Sequence, residues 1–318
     1  MRNKRALIIG ANGFVGPYLK KELASNGYEV YGCGYSQVGS AVEDNFFEVD
    51  ITDYDAIYGL IFSVKPTHIF NLAAISSVGL SWEKPQATVN VNVCGTINIL
   101  ESVRKLGLNT KILLIGSSEE YAPSNKPVSE NDKLDAVNPY GISRIMIEEF
   151  ATMYRNRYGL DITCIRAFNH TGLGQTPVFV LPSFIEQVAN IALSKECGKI
   201  KVGNISVYRD FSDVRDIVYA YRLIAESEEK ICVINVGSGA AYKIEELLNY
   251  IISLSGKQIE VVLDKERFRP ADLPYCCCDN TLLKSKTNWQ PKYNIFDTLK
   301  EMYNNKIKNS SETAIIKN

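Results

Sequence analysis

Histidine, single-sign charge and long apolar runs are all scarce in this chain, and each scarcity excludes something. With only two histidines, His68 and His170, no spacing matches a structural zinc site. The near balance of 35 basic and 36 acidic residues, net −1, argues against bulk binding to nucleic acid or an anionic membrane, while leaving room for a local basic pocket. No segment approaches the length needed to span a bilayer. The basic start Met1-Arg2-Asn3-Lys4-Arg5 superficially resembles a signal peptide. Its apolar run, Ala6 to Ile9, stops at Gly10, and no small-residue cleavage site follows, so a cytoplasmic address is expected.

Cysteine is not scarce: there are eight, at 33, 94, 164, 197, 232, 276, 277 and 278. Most sit singly in apolar runs, where a thiol behaves as a small hydrophobe. The triplet Cys276-Cys277-Cys278 looks like a ligand cluster, but neighbours along a strand point to alternate faces and cannot converge on one ion. Reduced cysteines and no metal site are expected. At 318 residues, 46% apolar and 22% charged, the composition is that of an ordinary globular protein of one large or two small domains.

The most informative stretch is Ala6-Leu7-Ile8-Ile9-Gly10-Ala11-Asn12-Gly13-Phe14-Val15-Gly16, a short apolar run meeting three glycines at spacing three. A helix-like segment, 17–25, follows. Strand, glycine turn and helix in that order let a backbone approach a pyrophosphate with no Cβ in the way, and aim a helix N-terminus at the anion. The spacing departs from the common G-x-G-x-x-G fingerprint. Strand-like runs at 29–32, 46–49, 68–72, 111–115 and 161–166 then alternate with helix-like runs at 53–65, 86–106 and 140–158. Such alternation implies right-handed crossovers and a parallel sheet covered on both faces, with ligands at the carboxyl ends of the strands.

Beyond about residue 170 helices at 182–194, 214–227 and 243–254 are interrupted by short strands near 199–202, 207–211, 231–236 and 259–263. The expected fold is therefore α/β: a Rossmann-type doubly wound parallel sheet with a smaller, interleaved C-terminal α/β region. Residues 1–170 form its dinucleotide-binding part, with segments from about 205–240 returning to it. Residues 171–308 mainly bind substrate, and 309–318 are a polar tail expected to fray.

The strand 111–115 runs into Gly116-Ser117-Ser118-Glu119-Glu120-Tyr121, and Asn138-Pro139-Tyr140-Gly141-Ile142-Ser143-Arg144 opens a helix. Tyr140 and Arg144, four apart, share a helix face. A hydroxyl at a strand end, a tyrosine and a cation one turn on make an acid–base device: the cation favours phenolate, and the serine hydrogen-bonds the reacting oxygen.

Together with Asn71-Leu72-Ala73-Ala74 and Asn92-Val93-Cys94-Gly95-Thr96, these motifs resemble the extended short-chain dehydrogenase/reductase family, which acts on nucleotide-diphosphate sugars. The likeness covers roughly residues 6 to 300. It implies Ser117 as the catalytic hydroxyl, Tyr140 as acid/base, and Arg144 in the place of the family's lysine. Arginine keeps the charge but neither deprotonates nor acts as a point charge, so a catalytically weakened dinucleotide-binding sensor is the non-enzyme alternative. The resemblance also implies cofactor contacts from Gly10, Asn12, Gly13, Phe14, Val15, Gly16, Tyr35, Asp50, Ile51, Leu72, Ala73, Ala74, Tyr140 and Arg144. The cofactor is NAD or NADP. Gly32-Cys33-Gly34-Tyr35-Ser36-Gln37 carries no acid to grip a ribose 2′-hydroxyl, which leans toward NADP.

Three later segments complete the pattern: Phe168-Asn169-His170-Thr171-Gly172, Tyr208-Arg209-Asp210-Phe211 and Arg267-Phe268-Arg269-Pro270-Ala271-Asp272. Arginines suit bidentate phosphate recognition, and Asn169 can donate to a phosphate oxygen. The segments resemble the branch that reduces GDP-4-keto-6-deoxy-D-mannose to GDP-D-rhamnose, whereas dehydratases carry a basic-rich segment after the Asn-His. The implied substrate contacts are Ser77, Ser118, Glu119, Asn169, Val180, Lys201, Arg209, Arg269 and Asp272. A 4,6-dehydratase using Glu119 for water elimination, or a C4 epimerase, are the alternatives. A homodimer through the helices 86–106 and 140–158 is implied by resemblance alone.

Overall fold

The structure, a computed structural model, describes residues 4–35, 45–194, 198–268 and 273–316. It begins with β1 (Lys4–Ile9), α1 (Gly16–Ala24), β2 (Tyr28–Gly34), β3 (Phe46–Glu48), α2 (Tyr54–Val64) and β4 (His68–Asn71). Next come α3 (Val78–Glu83), α4 (Pro85–Val89), a π-helical turn (Asn90–Cys94), α5 (Gly95–Leu106) and β5 (Lys111–Ile115). A 3₁₀ turn (Ser118–Glu120) leads to α6 (Pro139–Tyr158), β6 (Asp161–Ala167), β7 (Asn169–Thr171) and α7 (Val180–Leu193). Then follow β8 (Gly198–Val202), β9 (Tyr208–Asp213), α8 (Val214–Glu226), β10 (Val233–Val236), β11 (Ala241–Lys243) and α9 (Ile244–Leu254). The remaining elements are β12 (Ile259–Leu263), a 3₁₀ turn (Lys265–Arg267), β13 (Tyr275–Cys276), α10 (Thr281–Thr287) and α11 (Ile295–Ile316).

β1 is apolar without alternation because both of its faces are covered. Leu7 and Ile9 pack toward α2, α5 and α6, while Ala6 and Ile8 pack toward α1 and α8. Among the described residues, seven strands form one sheet in the order β10-β6-β5-β4-β1-β2-β3. Its neighbouring pairs are parallel. The direction of winding reverses between β1 and β4, so a crevice opens beyond their carboxyl ends, where Gly10 and Leu72 lie. This is the doubly wound Rossmann-type sheet expected from the alternation.

β10 lies at the far edge of this sheet, beside β6. β9 instead pairs with β7, β11 and β13, and β8 with β12. α7, α9 and α11 enclose a separate core of Leu181, Phe184, Val188, Leu247, Ile251, Leu299 and Met302.

Two local expectations need correction, and one helix, α3, was not expected at all. The single helix over 86–106 is broken by the π turn at Asn90–Cys94, which inserts an extra residue and turns Asn92 inward. α3 carries no sequence signal beyond the Ser77 cap. The segment from Asn309, expected to fray, continues α11 to Ile316, because extending a helix already anchored by Leu299, Met302 and Tyr303 costs far less than nucleating one.

Candidate active site

The glycine turn is built as a cradle. Gly10 has φ +82°, and it and Ala11 both donate to the Cys33 carbonyl, at 2.8 and 2.9 Å. A Cβ on Gly10 would stand 2.7 Å from the Ala73 nitrogen, and one on Gly16 would overlap the Ala11 carbonyl. These two glycines therefore serve the protein's own packing. A Cβ on Gly13 would meet only the Gly10 oxygen, at 3.3 Å, and otherwise open space. That bareness suits close approach of a ligand. α1 opens after Val15 with no side-chain cap; Gly16 N–H donates to the Gly13 carbonyl at 3.2 Å and Pro17 carries no N–H, so the positive end of the helix rather than a fan of free donors borders the turn. Asn12 lies over Gly34, where a Cβ would overlap its amide. Phe14 stacks on His170 at 6.2 Å, and the Tyr18 hydroxyl donates to the Leu173 carbonyl at 2.8 Å. The cradle is thereby tied to the segment after β6.

Further along the crevice Tyr35 is exposed. Asp50 accepts at one oxygen from Thr52 N–H and Thr52 hydroxyl, both at 2.8 Å, which orients the carboxylate. The Ile51 side chain is buried against Gly95, where a Cβ would come within 2.8 Å, and its carbonyl accepts from Asn98. Its side chain belongs to the core cluster under the sheet. Leu72 donates to Ile9, Ala73 to the Asn71 side chain, and Ala74 follows at the same strand end.

At the end of β5, Ser117 begins a reciprocal capping box. Its hydroxyl accepts from Glu119 N–H at 3.2 Å, while its own N–H donates to Glu120 at 2.6 Å. Ser118 is buried beside it, and the Glu119 carboxylate accepts from Asn138 at 2.9 Å. Asn138 also caps α6, and a Cβ on Gly141 would overlap the Glu119 carbonyl. The serine turn and the tyrosine helix are thus held together by the Asn138–Glu119 hydrogen bond and by the close approach at Gly141.

Tyr140 and Arg144 are both buried, with the guanidinium carbon 5.1 Å from the phenol ring centre. Among the described residues, Arg144 Nε has no hydrogen-bond partner. A buried cation without a carboxylate is costly. Across the sheet the Tyr221 hydroxyl, also buried and without a hydrogen-bond partner among the described residues, feels both Tyr140 and Arg144, and burial raises its pKa.

Sequence reasoning missed the groups that hold Tyr140. Ser81 accepts from the Tyr140 N–H at 3.2 Å, and Ser143 donates to the Tyr140 carbonyl at 2.7 Å. Asn92 donates to Ser143 at 2.9 Å and grips Ile75 through both its amide oxygen and its amide nitrogen. Asn92 belongs to a noticed motif; Ser81 gives no sequence signal at all.

The expected substrate contacts divide. Arg209 is buried on β9, donating to the Tyr208 and Leu273 carbonyls at 2.8 and 2.6 Å. The Cys276 thiol lies within electrostatic reach of Arg209 and Glu119 and beside Ser118, which links β13 to the serine turn. Asn169 pairs with Phe211 across β7 and β9, and Val180 starts α7. Ser77 uses its hydroxyl to cap α3, and Lys201 is exposed on β8 with no described contact to the serine turn. Arg269 and Asp272 lie outside the described residues. A cavity of about 390 Å³ between α1, α8 and α11 contains none of these groups. Its Arg215 is already paired with Asp213 and Glu301. No helix among the described residues is long and apolar enough to cross a membrane.

A family model of GDP-mannose 4,6-dehydratases matches residues 7–302. A GDP-6-deoxy-D-mannose reductase of Pseudomonas aeruginosa is 28% identical over 300 residues, covering 93% of this chain and 95% of that protein. A GDP-mannose 4,6-dehydratase of Vibrio cholerae is 25% identical over 362 residues, covering 99% and 96%. The solved structure of RMD from Pseudomonas aeruginosa complexed with NADPH superposes with a TM-score of 0.85 at 26% identity, over 96% of this chain and 100% of that one.

Proposed function

Since the chain belongs to the GDP-mannose 4,6-dehydratase family of NAD(P)-dependent extended short-chain dehydrogenase/reductases, we propose that it reduces the C4 keto group of a nucleotide-diphosphate 4-keto-6-deoxy sugar. The preferred pair is GDP-4-keto-6-deoxy-D-mannose, giving GDP-D-rhamnose, with NADPH as reductant. The observation that carries the redox assignment is the buried, unpartnered Arg144 Nε beside the Tyr140 ring.

The residues present fit a dinucleotide. The turn that Gly10 and Gly16 allow, with bare Gly13 and the positive end of α1, would hold the pyrophosphate, Asp50 the adenine, and Tyr140 with Arg144 the nicotinamide ribose. A nicotinamide cofactor, when bound, supplies the hydride that adds to C4. As the carbonyl carbon gains that electron pair, its oxygen takes the phenol proton of Tyr140. Arg144 carries a fixed charge that stabilises the phenolate left behind. The Ser117 oxygen already accepts from Glu119, so its proton is left to donate to the C4 oxygen. Arg209 would meet the diphosphate.

The reductase reading is favoured over dehydration because no lysine or arginine occurs between Arg166 and Lys195, the stretch after the Asn-His that is basic-rich in dehydratases. The Vibrio cholerae alignment is also longer than this 318-residue chain, so that dehydratase carries insertions absent here. Glu119, held by Asn138 beside the serine turn, favours the dehydratase as second reading, with C4 epimerisation a third outcome. A cytoplasmic homodimer is part of the proposal, with Val89, Ile142 and Met153 as exposed apolar groups on α4 and α6.

The test is a panel of nucleotide sugars with NADPH and NADH. Stoichiometric NADPH oxidation with a GDP-4-keto sugar, and GDP-D-rhamnose as product, is the expected result. Conversion of GDP-mannose without added cofactor would overturn it in favour of the dehydratase, and C4 inversion in favour of an epimerase.

A further inference from the structure

Beneath the catalytic turn lies a pair of carboxyl groups that the reaction itself does not use. Glu120 is fully buried, and its Oε1 accepts the Ser117 N–H at 2.6 Å. Its carboxyl fills the space over Gly116, where a Cβ would overlap it. Glu148 belongs to α6, on the stripe of that helix that also presents Tyr140 and Arg144 at intervals of four. The Glu120 and Glu148 carboxyls flank one guanidinium, with oxygens 3.8 and 2.7 Å from nitrogens of Arg166, and a hydrogen bond between two such carboxyls requires a proton on one of them.

The surrounding groups require the same proton. Arg166, from β6, spends its fork on Glu148 at 2.9 and 2.7 Å, and its third nitrogen on the Tyr121 hydroxyl and the Glu130 carbonyl. It stands 3.8 Å from Glu120 Oε2, beyond hydrogen-bond distance. No described donor reaches that oxygen. Of the other titratable groups nearby, Cys164 is a buried thiol whose pKa rises to about 12, chiefly through burial. Burial also raises the pKa of Tyr121. The Glu130 carboxylate is taken by the Asn235 N–H. One guanidinium thus faces two buried carboxyls. Burial, and then the Glu148 charge, push the Glu120 carboxyl well above the ordinary carboxylate range.

We propose that Glu120 is a positioning residue: one proton shared between Glu120 and Glu148 clamps the Ser117 turn to α6 and thereby fixes Ser117 relative to Tyr140. Loss of that proton leaves two carboxylates against one cation in a buried site. The clamp opens, and Ser117 drifts from the reacting oxygen. The inference rests on the reductase reading for its kinetic consequence, while the shared proton itself does not.

Two measurements test it. Difference infrared spectra of wild type against Glu120→Gln at neutral pH should show a carboxylic-acid C=O band in wild type that the variant lacks. Absence of that band would overturn the proposal. In turnover, Glu120→Leu should lower kcat by about 10- to 100-fold with dinucleotide Kd little changed, as expected for a misplaced catalytic group. Glu120→Gln, which can both accept from Ser117 and donate to Glu148 without titrating, should recover most of that loss. It should also remove one of two ionisations from the alkaline limb of the kcat profile. Equal kcat in Glu120→Leu and wild type, or Gln as impaired as Leu, would overturn the positioning role. If Glu120→Leu does not fold, the infrared band and the Glu120→Gln profile decide. If wild type reduces no 4-keto sugar, the functional reading fails while the infrared result still decides the shared proton.

Discussion

The guanidinium of Arg144 stands one helical turn beyond Tyr140, 5.1 Å from the centre of its ring, and Arg144 Nε has no hydrogen-bond partner among the described residues. Burial of that charge without a partner at Nε is a cost to the folded protein.

Tyr140→Phe keeps the ring and the stack but removes the only proton the C4 oxygen can take from this side chain. Turnover should fall by about 10²- to 10⁴-fold, the usual worth of a general acid. Dinucleotide Kd should stay within about threefold, so single-turnover kinetics and fluorescence titration together check the role. An active Tyr140→Phe enzyme would remove Tyr140 from the mechanism.

Arg144→Met should move stability and binding in opposite directions. The dinucleotide-free protein should gain roughly 1 kcal/mol or more, because an uncompensated buried charge is replaced by an apolar chain. Dinucleotide affinity should weaken by about tenfold or more, the worth of charge-assisted hydrogen bonds. Denaturant melts and titration report the two effects, and a loss of both stability and affinity would show that the guanidinium is a structural group.

Gly13→Ala and Gly16→Ala should separate binding from folding. The new methyl at 13 meets only the Gly10 oxygen at 3.3 Å, which a shift of a few tenths of an ångström relieves. Melting should change little, while dinucleotide Kd rises by about tenfold or more. At 16 the methyl overlaps the Ala11 carbonyl, and the fold should lose roughly 3 kcal/mol or more. Equal dinucleotide affinity in Gly13→Ala and wild type would place the pyrophosphate elsewhere.

His68 should make stability fall on acidification. Burial, and then the charge of Lys111, lower its pKa from 6.5 to about 4. Between those values the unfolded chain binds the proton and the folded one does not. The stabilisation is therefore complete above pH 6.5 and is lost progressively as pH falls to about 4. Its upper size is roughly 3 kcal/mol. Urea melts at pH about 7.5 and about 5 should show this slope in wild type and a shallower one in His68→Gln. An unchanged slope would assign acid lability to other groups.

Much of the fold was legible because its signals are local. The run 6–9, the glycine spacing and the alternation of strands with helices each follow from period and turn chemistry within a short window. The Tyr140–Arg144 pairing was legible for the same reason, since four residues on a helix span one turn. Lys201 and Ser77 were named from pattern alone, and the structure adds only their places: one stands exposed on β8 and the other caps α3. The supports of Tyr140 were not legible. Ser81 and Ser143 look like any helix serines until folding brings them to its main chain.

By itself, the sequence determined that a strand, a bare glycine turn and a helix would form a dinucleotide cradle, and that a tyrosine and an arginine would share one helix face. Only tertiary structure decided that Ser117 would be pressed against that helix by Gly141, that Arg144 would be buried with its Nε unpartnered, and that Glu120 would meet Glu148. The reason is physical: period and turn geometry act between near neighbours, whereas burial and the pairing of charges are settled between residues that only the completed fold brings together.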